Sequence, residues 1–327
     1  MTSGASVASV PSVLVTGAGG YIGQRLVERL AFDGVAVRAL VRAPVPWSPG
    51  GASWAGSGSV EEMVGDLVAD PGVAEKAAVG VDLVVHLAGA NEVAAAADPS
   101  GSLAQTVLAA ERVAASGVAR VVYLSTVHVY GEALSPGAVV DETTPAHPVH
   151  PYAAARLACE EVFRGSGVPA MIFRLTNGVG APARPDVARW SLVANELCRE
   201  GAVSGTLTLR TAGVQWRDFI ALTDVVAGLS RLARGQGTAF TPGLYNMGSG
   251  TSVRVRDLAE LIAESFEAAG RPRPALAAPA APAEVPGPYR VDVSALTRVG
   301  LAGSTSLRGA VDETVRFCLD HVEVLGQ

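Results

Sequence analysis

The sequence predicts an α/β fold: a doubly wound parallel sheet with a smaller lobe towards the C-terminus. Short runs of β-branched residues alternate with amphipathic stretches of about twelve residues through the first half of the chain. A glycine-rich turn joins the first of these runs to the first amphipathic stretch. The alternation breaks up after Gly178, and we expect the smaller lobe to begin there.

The spacing of apolar residues places the elements in order. Apolar and β-branched runs predict strands at residues 12–16, 35–41, 63–66, 81–87, 120–126, 169–175 and 207–210. Apolar residues at helical spacing predict helices at residues 21–32, 103–116, 152–164, 190–200 and 257–269. Residues 43–59, 131–151 and 271–288 are rich in Pro, Gly, Ser or Ala, which indicates connecting loops.

Composition argues against several classes of protein. The 327 residues carry a net charge of −6 and contain no basic run, which argues against a nucleic-acid partner. The apolar runs are far shorter than the ~20 residues of a membrane-spanning helix. No secretory signal pattern opens the sequence, so we expect a cytoplasmic protein without a membrane partner. Cys159, Cys198 and Cys318 share no short spacing, which favours buried thiols over a metal site or a disulfide framework.

The glycine-rich turn has the pattern of a dinucleotide site. Residues 16–23 read Thr-Gly-Ala-Gly-Gly-Tyr-Ile-Gly between the first predicted strand and the first predicted helix. Gly17 permits the tight turn, Gly20 lets the backbone approach a pyrophosphate, and Gly23 lets the helix pack closely on the strand. Tyr21 and Ile22 open the helix whose positive end faces the phosphates. The motif predicts a Rossmann-type fold that binds NADP or NAD.

The residues that follow the next strands favour NADP over NAD. In NAD sites the second strand usually ends in an acid that binds the ribose 2′-hydroxyl, but here it ends in Arg42. A guanidinium suits a 2′-phosphate. The alternative is that Arg42 is a solvated surface residue and the cofactor is NAD. We expect Asp66 and Leu67 to lie at the adenine amino group, and the small residues of Leu87-Ala88-Gly89 to lie beside the cofactor.

Three residues form a candidate catalytic trio. Thr126 ends the fifth strand, and Tyr152 and Arg156 lie four residues apart on the next helix, so both project from one face of it. A fixed cation beside a tyrosine stabilises the phenolate. A hydroxyl from Thr126 would hydrogen-bond the same substrate oxygen. The trio therefore predicts a proton relay at a carbonyl or carbinol carbon, where the nicotinamide supplies or takes the hydride.

With these motifs in place, the chain resembles the extended short-chain dehydrogenase/reductase family, which comprises nucleotide-sugar epimerases, dehydratases and reductases. The resemblance covers nearly the whole chain, and its motifs occur in the order that the family shows. They are the glycine turn, Asp66, Leu87-Ala88-Gly89, residues 125–131, Tyr152 with its partner, Arg174-Leu175-Thr176-Asn177-Gly178-Val179-Gly180, Arg217-Asp218-Phe219-Ile220 and Tyr245-Asn246-Met247-Gly248.

The resemblance implies a role for each site residue. Thr126 corresponds to the Ser or Thr of the family's catalytic trio, and Tyr152 corresponds to its acid/base. Asn177 and Arg217 correspond to residues of the sugar-nucleotide site, with Arg217 on the diphosphate. His128 follows Thr126 by two residues; it either faces the substrate or packs within its loop. No metal is implied.

The chain departs from the family's pattern at four places. No basic residue for the nucleotide phosphates lies near Pro286-Gly287, although Arg290 is close, which leaves a substrate other than a nucleotide sugar as an alternative. The family's Tyr-x-x-x-Lys is here Tyr-x-x-x-Arg; Arg156 keeps the charge and reaches two oxygens, but it is bulkier than lysine. Ser102 stands where the family usually has Asn. The Thr-Asp-Glu signature of 4,6-dehydratases is missing, because Val127 and His128 follow Thr126. A dehydratase would therefore lack its acid and its base.

Three hypotheses for function follow. The first is an NADP-dependent ketoreductase that acts on a nucleotide-linked 4-keto-(deoxy)sugar, in which Tyr152 protonates the ketone oxygen. The second is an NAD-dependent nucleotide-sugar 4-epimerase that uses the same residues but retains its cofactor. The third is a catalytically silent dinucleotide-binding scaffold or sensor, which the departures at Arg156 and Ser102 motivate.

The expected organisation follows from the same motifs. We expect a disordered lead at residues 1–11 and an NAD(P)-binding domain at residues 12–177, to which segments of 211–246 return. Residues 178–210 and 247–327 should form mainly the substrate-binding lobe. The resemblance also implies a homodimer formed by the predicted helices 103–116 and 152–164, whose many alanines permit close approach.

Overall fold

The computed structural model describes residues 12–47, 58–187, 190–236 and 239–326. The predicted lead at residues 1–11 lies outside the described residues, as does most of the predicted loop at 43–59. Within the described ranges the strands are β1 (Ser12–Thr16), β2 (Ala36–Val41), β3 (Val60–Val64), β4 (Leu83–His86), β5 (Val121–Thr126), β6 (Val139–Val140), β7 (Ala170–Leu175), β8 (Asn177–Val179), β9 (Thr206–Thr208), β10 (Trp216–Ala221), β11 (Gly243–Met247), β12 (Ser252–Arg254), β13 (Ala275–Ala277) and β14 (Arg290–Val291).

The helices connect and cover these strands. They are α1 (Tyr21–Phe32), α2 (Val73–Ala78), α3 (Glu92–Ala97), α4 (Pro99–Ala115), α5 (Pro151–Gly165), α6 (Val193–Ser204), α7 (Leu222–Ala233), α8 (Val255–Ala268), α9 (Ser294–Arg298), α10 (Leu307–Asp320) and α11 (Val322–Leu325), and a 3₁₀ segment spans Val127–Ala133. Among the described residues, no helix is both long enough and apolar enough to cross a bilayer.

Seven strands form the central sheet in the order β11-β7-β5-β4-β1-β2-β3, and every neighbouring pair is parallel. The chain runs outward from β1 to β3 and then crosses to β4 on the other side of β1. The order therefore reverses between β1 and β4, which is where ligands bind in sheets of this kind. This architecture confirms the predicted α/β fold with a Rossmann-type, doubly wound parallel sheet.

Both faces of the central sheet are covered, which explains why its strands are apolar throughout. Val13 and Val15 of β1 point to one face, where they pack with residues of α1 and α7. Leu14 points to the other face, where it packs with residues of α2, α4 and α5. Burial of each such side chain contributes about 1.5–3 kcal/mol. The two apolar layers fix the sheet between the helices.

The described strands outside the central sheet form three smaller sheets, and the elements around a separate apolar core make up what is here called the second lobe. β10 pairs with β8 in parallel and with β12 in antiparallel orientation, while β13 pairs with β9 and β14 with β6. A separate apolar core lies among α6, α8 and α10 and includes Leu197, Leu258 and Val311. Of the 211–246 stretch, α7 packs on the central sheet and β11 lies largely within the stretch and joins that sheet. The residue-by-residue division between the lobes stays a prediction.

Several element boundaries differ from their predicted positions for local reasons. Helix α4 begins at Pro99 rather than at residue 103, because the Asp98 carboxylate caps it by accepting a hydrogen bond from Gly101 N at 2.9 Å. Helix α6 runs to Ser204 and ends at Gly205, whose φ of +70° suits glycine. The predicted loop at residues 271–288 contains β13, which is held by its pairing with β9.

Two buried helical glycines allow the packing of the glycine turn to be tested. A Cβ on Gly23 would lie 2.2 Å from the Gly17 carbonyl oxygen and 2.8 Å from Ala18 Cα, both of them backbone atoms. A Cβ on Gly228 would meet its nearest neighbour, Leu301, at 3.7 Å, which is an ordinary contact. Close approach of α1 to β1 therefore depends on Gly23, whereas α7 has room for a methyl group.

We predict that Gly23→Ala lowers the free energy of unfolding by about 1–3 kcal/mol, because the backbone must move to admit the methyl group. The matched variant Gly228→Ala should be neutral or stabilising by up to about 1 kcal/mol, since alanine favours a helix. Urea unfolding of both variants measures the difference. Equal effects of the two substitutions would contradict the assigned packing.

Candidate active site

The glycine turn lies against the loop that follows β4. Gly17 has a φ of +67°, and a Cβ there would lie 2.7 Å from Ala88 N and 2.9 Å from the Leu87 carbonyl carbon. Gly20 N donates to the Gly17 carbonyl at 3.0 Å and closes the turn. In the described part of the chain, no side chain caps the N-terminus of α1. The first N–H groups of α1 therefore remain available to an anion.

Tyr21 connects the glycine turn to the second lobe. Its hydroxyl donates to the Gly180 carbonyl at 2.8 Å and accepts a hydrogen bond from Asn195 Nδ2 at 2.9 Å. Burial raises the pKa of Tyr21, so the hydroxyl stays protonated as this geometry requires. Ile22, next to it, packs on the central core. The sequence predicts that both residues lie at the cofactor, but no pattern in it predicts the hydrogen bonds of Tyr21 to Gly180 and Asn195.

The predicted adenosine-binding residues follow β2 and β3, which are neighbouring strands. Arg42 directly follows β2 and is exposed. Asp66 lies two residues after β3, and its Oδ1 accepts hydrogen bonds from Val68 N at 2.7 Å and Ala69 N at 3.2 Å. Leu67 is buried in the core that includes α2 and α4. The structure therefore brings a cation and an oriented carboxylate to the same edge of the sheet.

The candidate catalytic trio lies at the carboxyl edge of β5 and the start of α5. Thr126 ends β5, and its Oγ1 accepts a hydrogen bond from His128 N at 3.3 Å. Tyr152 is the second residue of α5, and Arg156 follows one turn later. The Arg156 Cζ atom lies 5.1 Å from the centre of the Tyr152 ring. This contact confirms that the phenol and the guanidinium share one face of α5.

The Arg156 guanidinium is enclosed by the protein. Arg156 is only 8% exposed, and its Nη1 lies 3.5 Å from the Leu124 carbonyl oxygen. A Cβ on Gly89 would lie 3.3 Å from that same Nη1. The Nε atom is buried and has no hydrogen-bond partner among the described residues. A buried donor of this kind is costly unless a ligand satisfies it.

The electrostatics around Arg156 keep its charge fixed. Burial alone would lower the pKa of Arg156, but Tyr152 and Tyr123 raise it, so the guanidinium is charged at any working pH. Beneath it, His86 is fully buried, stacks on Tyr123 and hydrogen-bonds Thr16 Oγ1 through Nδ1 at 2.8 Å. Burial and the nearby Arg156 lower the pKa of His86 to about 3. His86 is therefore a neutral packing residue.

The predicted substrate residues lie around the adjoining ends of β5, β8 and β10. Asn177 Nδ2 donates to the Asp218 carbonyl at 2.9 Å, where β8 pairs with β10. Arg217 Nη1 donates to the Trp216 carbonyl at 3.0 Å, and Arg217 is half-buried. Burial and then the Arg217 guanidinium lower the pKa of His128, while Glu92 acts in the opposite direction. The structure thus brings Arg217 and His128 together.

Two further residues of this region escaped sequence reasoning. Tyr289 is buried beside Arg217; burial raises the pKa of Tyr289, and the guanidinium opposes that rise. Asp218 is fully buried, its pKa is raised by burial, and its Oδ1 accepts a hydrogen bond from Ser249 N at 2.8 Å. The place of Asp218 within the Arg217-Asp218-Phe219-Ile220 motif was an available signal. Tyr289 carries no such signal, because it follows an exposed Pro- and Ala-rich run.

Comparison with known proteins identifies the family. Residues 13–248 match the model of the NAD dependent epimerase/dehydratase family. The chain belongs to that family. As a member of the NAD dependent epimerase/dehydratase family, it is an NAD(P)-dependent enzyme of the extended short-chain dehydrogenase/reductase type, which confirms the resemblance drawn from the motifs.

Relatives of this epimerase/dehydratase family member are named as epimerases and as a reductase. UDP-glucose 4-epimerase of Azospirillum brasilense is 27% identical over 292 residues, which cover 79% of this chain and 78% of the relative. GDP-6-deoxy-D-mannose reductase of Pseudomonas aeruginosa is 29% identical over 196 residues, or 56% of this chain and 62% of the relative. The solved structure of MoeE5 in complex with UDP-glucose and NAD has a TM-score of 0.73 and 27% identity, covering 94% of this chain and 98% of MoeE5.

The pKa of His86 makes a prediction for acid stability. Its folded-state value of about 3 lies below the ordinary 6.5, so between these values the unfolded chain binds a proton that the native chain does not. The contribution of neutral His86 to the free energy of unfolding is complete above pH 6.5. It is lost progressively as the pH falls towards 3. The lowered pKa of His128 acts in the same direction.

We predict that His86→Gln makes the fall in the free energy of unfolding shallower by about 1.4 kcal/mol per pH unit below pH 6.5. The exposed His147→Gln is the matched control and should keep the wild-type slope. Urea unfolding at a series of pH values measures both slopes. An unchanged slope in His86→Gln would show that His86 is not the buried neutral group described here.

Proposed function

We propose that the chain is an NADP-dependent ketoreductase that acts on a nucleotide-linked 4-keto-(deoxy)sugar. The observation that carries the choice of NADP is Arg42. It directly follows β2, it is exposed, and the preceding residues Leu40 and Val41 supply no acid for a ribose 2′-hydroxyl. An exposed guanidinium at this position suits the 2′-phosphate, which only NADP carries.

The site fits a nicotinamide dinucleotide on grounds independent of the comparisons. The uncapped N-terminus of α1 offers N–H groups to a pyrophosphate, and Gly17, where a Cβ would meet the backbone of Leu87 and Ala88, lets the turn lie against the loop after β4. The buried Arg156 has an Nε donor in need of a partner, which suits the hydroxyls of a ribose. Gly20, Tyr21 and Ile22 would border the phosphates. When bound, the nicotinamide supplies the hydride for reduction of a ketone.

The chain's own residues would handle the proton. In the proposed reaction Tyr152 gives its phenolic proton to the ketone oxygen, and the Thr126 hydroxyl holds that oxygen by a hydrogen bond. The phenolate left on Tyr152 lies beside the Arg156 guanidinium, whose Cζ is 5.1 Å from the ring centre. The buried Arg156 thus places a positive charge beside the negative charge that proton transfer leaves on the ring. Solvent then returns a proton to Tyr152.

The substrate would bind between the ends of β5, β8 and β10. Arg217 offers a guanidinium to the diphosphate, and its neighbour Tyr289 keeps it in place. His128 is held neutral by burial and by Arg217, so it would meet the sugar as a hydrogen-bonding group rather than as a second cation. Asn177 borders the same space. Relatives named for UDP-glucose and for GDP-6-deoxy-D-mannose support a nucleotide sugar as the substrate class.

A second candidate, an NAD-dependent nucleotide-sugar 4-epimerase, is supported by the comparisons. The epimerase of Azospirillum brasilense matches more of the chain than the reductase of Pseudomonas aeruginosa does. The same trio would serve an epimerase, which oxidises and then reduces one carbon. The two candidates differ in cofactor handling, because an epimerase regenerates its own NAD and a reductase must exchange NADP. The homodimer implied by the resemblance stays a prediction.

We predict that Arg42→Ser weakens NADPH binding about 10- to 100-fold and leaves NADH binding unchanged, because one charge-assisted contact to the 2′-phosphate is lost. Arg210→Ser is the charge-matched control: Arg210 lies in the second lobe with 86% of its side chain exposed, and its loss should change neither affinity. Fluorescence titration with both cofactors gives the ratio of the dissociation constants for NADH and NADPH. A ratio unaffected by Arg42→Ser would make Arg42 a solvated surface residue and favour the epimerase.

A further inference from the structure

A row of buried polar side chains crosses the central sheet next to Thr126. Ser125 of β5, Arg174 of β7 and Asn246 of β11 occupy facing positions on neighbouring strands. Their exposures are 4%, 3% and 0%. Buried polar groups cost free energy unless they are hydrogen-bonded, so a row of three in a sheet core needs partners. The partner of Ser125 and Arg174 lies on α5, which carries Tyr152, and a partner of Asn246 lies in the 3₁₀ segment that follows Thr126.

Glu160 connects this row to the helix of Tyr152. It lies two turns after Tyr152 on α5 and is fully buried. Ser125 Oγ donates to Glu160 Oε1 in a short hydrogen bond. Arg174 donates to the same carboxylate through Nη2 at 2.8 Å and through Nε at 3.1 Å, and Arg164 adds a contact at 2.7 Å. A single carboxylate therefore fixes α5 to both β5 and β7.

Arg174 also holds the segment that follows Thr126. Its Cζ atom lies 4.6 Å from the centre of the Tyr130 ring, in the 3₁₀ segment Val127–Ala133. The Tyr130 hydroxyl donates to Asn246 Oδ1 at 2.6 Å, which fastens the segment to the third member of the row. Thr126 is thus fixed on its N-terminal side by Ser125 and on its C-terminal side through Tyr130.

We propose that Glu160 and Arg174 are positioning residues that set the separation of the Thr126 and Tyr152 hydroxyls. Charge-assisted hydrogen bonds to one buried carboxylate are short and directional, so they leave β5 and α5 little freedom to slide past one another. Neither residue acts on the substrate directly; they act through the two hydroxyls. The effect on turnover rests on the proposed function, whereas the effect on the separation does not.

The test compares two buried serine–carboxylate hydrogen bonds. Ser125→Ala removes the bond to Glu160, and Glu160→Gln keeps an acceptor but removes the charge. Ser265→Ala is the matched control, because Ser265 is 3% exposed and its Oγ donates to Asp312 Oδ1 at 2.6 Å in the second lobe. Ser125→Thr restores a hydroxyl at position 125. For each variant one measures Tm, the crystal structure with NADPH, and kcat and KM for GDP-6-deoxy-D-mannose oxidation by NADP+ or for UDP-glucose epimerisation.

We expect Ser125→Ala to lower kcat about tenfold and Glu160→Gln about 100-fold, with KM changed less than about threefold, because misplaced hydroxyls slow the reaction rather than weaken binding. The separation of Thr126 Oγ1 and Tyr152 Oη should change in both. Ser125→Thr should recover most of kcat, and Ser265→Ala should lower Tm without changing kcat or the separation.

The proposal is overturned if Ser125→Ala and Glu160→Gln lower Tm but leave the separation and kcat at their wild-type values, as the control does. A merely structural role of the buried pair would give that result. If the wild type converts neither sugar nucleotide, the proposed function loses its support. The separation of the two hydroxyls in the variant structures then decides the positioning role alone.

Discussion

The Arg156 guanidinium is buried, and its Cζ atom lies 5.1 Å from the centre of the Tyr152 ring. The residues around it must accommodate a buried positive charge. A buried cation is costly unless nearby groups compensate it. Here Nη1 lies 3.5 Å from the Leu124 carbonyl oxygen, Tyr152 and Tyr123 oppose the effect of burial on the pKa of Arg156, and Nε has no hydrogen-bond partner among the described residues. In the proposed reaction, further compensation would come from the phenolate formed on Tyr152 and from the hydroxyls of a bound ribose.

The residues packed around the guanidinium leave room for it. Position 89 is glycine, and a methyl group there would crowd the guanidinium at 3.3 Å and Thr106 Cγ2 at 2.9 Å. His86, close beneath, is kept neutral by burial and by Arg156, so it adds no second cation. The arginine that replaces the family's lysine is thus accommodated by its surroundings. This accommodation favours an active site that has adapted to arginine over a catalytically silent site.

The sequence was sufficient for those parts of the fold and site whose signals are local. The helix at residues 21–32 was placed to the residue, because apolar spacing and flanking glycines mark both of its ends. The Tyr152–Arg156 contact followed from a spacing of four on one helix. The sequence pattern does not predict α7, α10 or β11. In the second half of the chain, strands and helices no longer alternate in the regular way that marks crossover units.

Features that depend on distant pairing could not be read from the sequence. The strand β13 lies in a Pro- and Ala-rich run with no strand pattern, and it exists because β9 pairs with it. The row of Ser125, Arg174 and Asn246 depends on the register of three strands that lie far apart in the chain. The Tyr21 hydroxyl bridge to Gly180 and Asn195 likewise needs two lobes to be in place. Strand register and the packing of the lobes depend on segments far apart in the chain. Local patterns of residues therefore do not predict them.

The nicotinamide content of the purified chain shows whether the protein is a reductase with an exchangeable NADP. The protein is denatured after gel filtration, and the released nucleotides are identified and counted by mass spectrometry and absorbance. For such a reductase we expect much less than one equivalent of nicotinamide per chain, and subsequent binding of NADPH at least about tenfold tighter than NADH. One equivalent of NAD that survives purification would contradict the reductase assignment. It would show that the protein retains its cofactor, as an epimerase does.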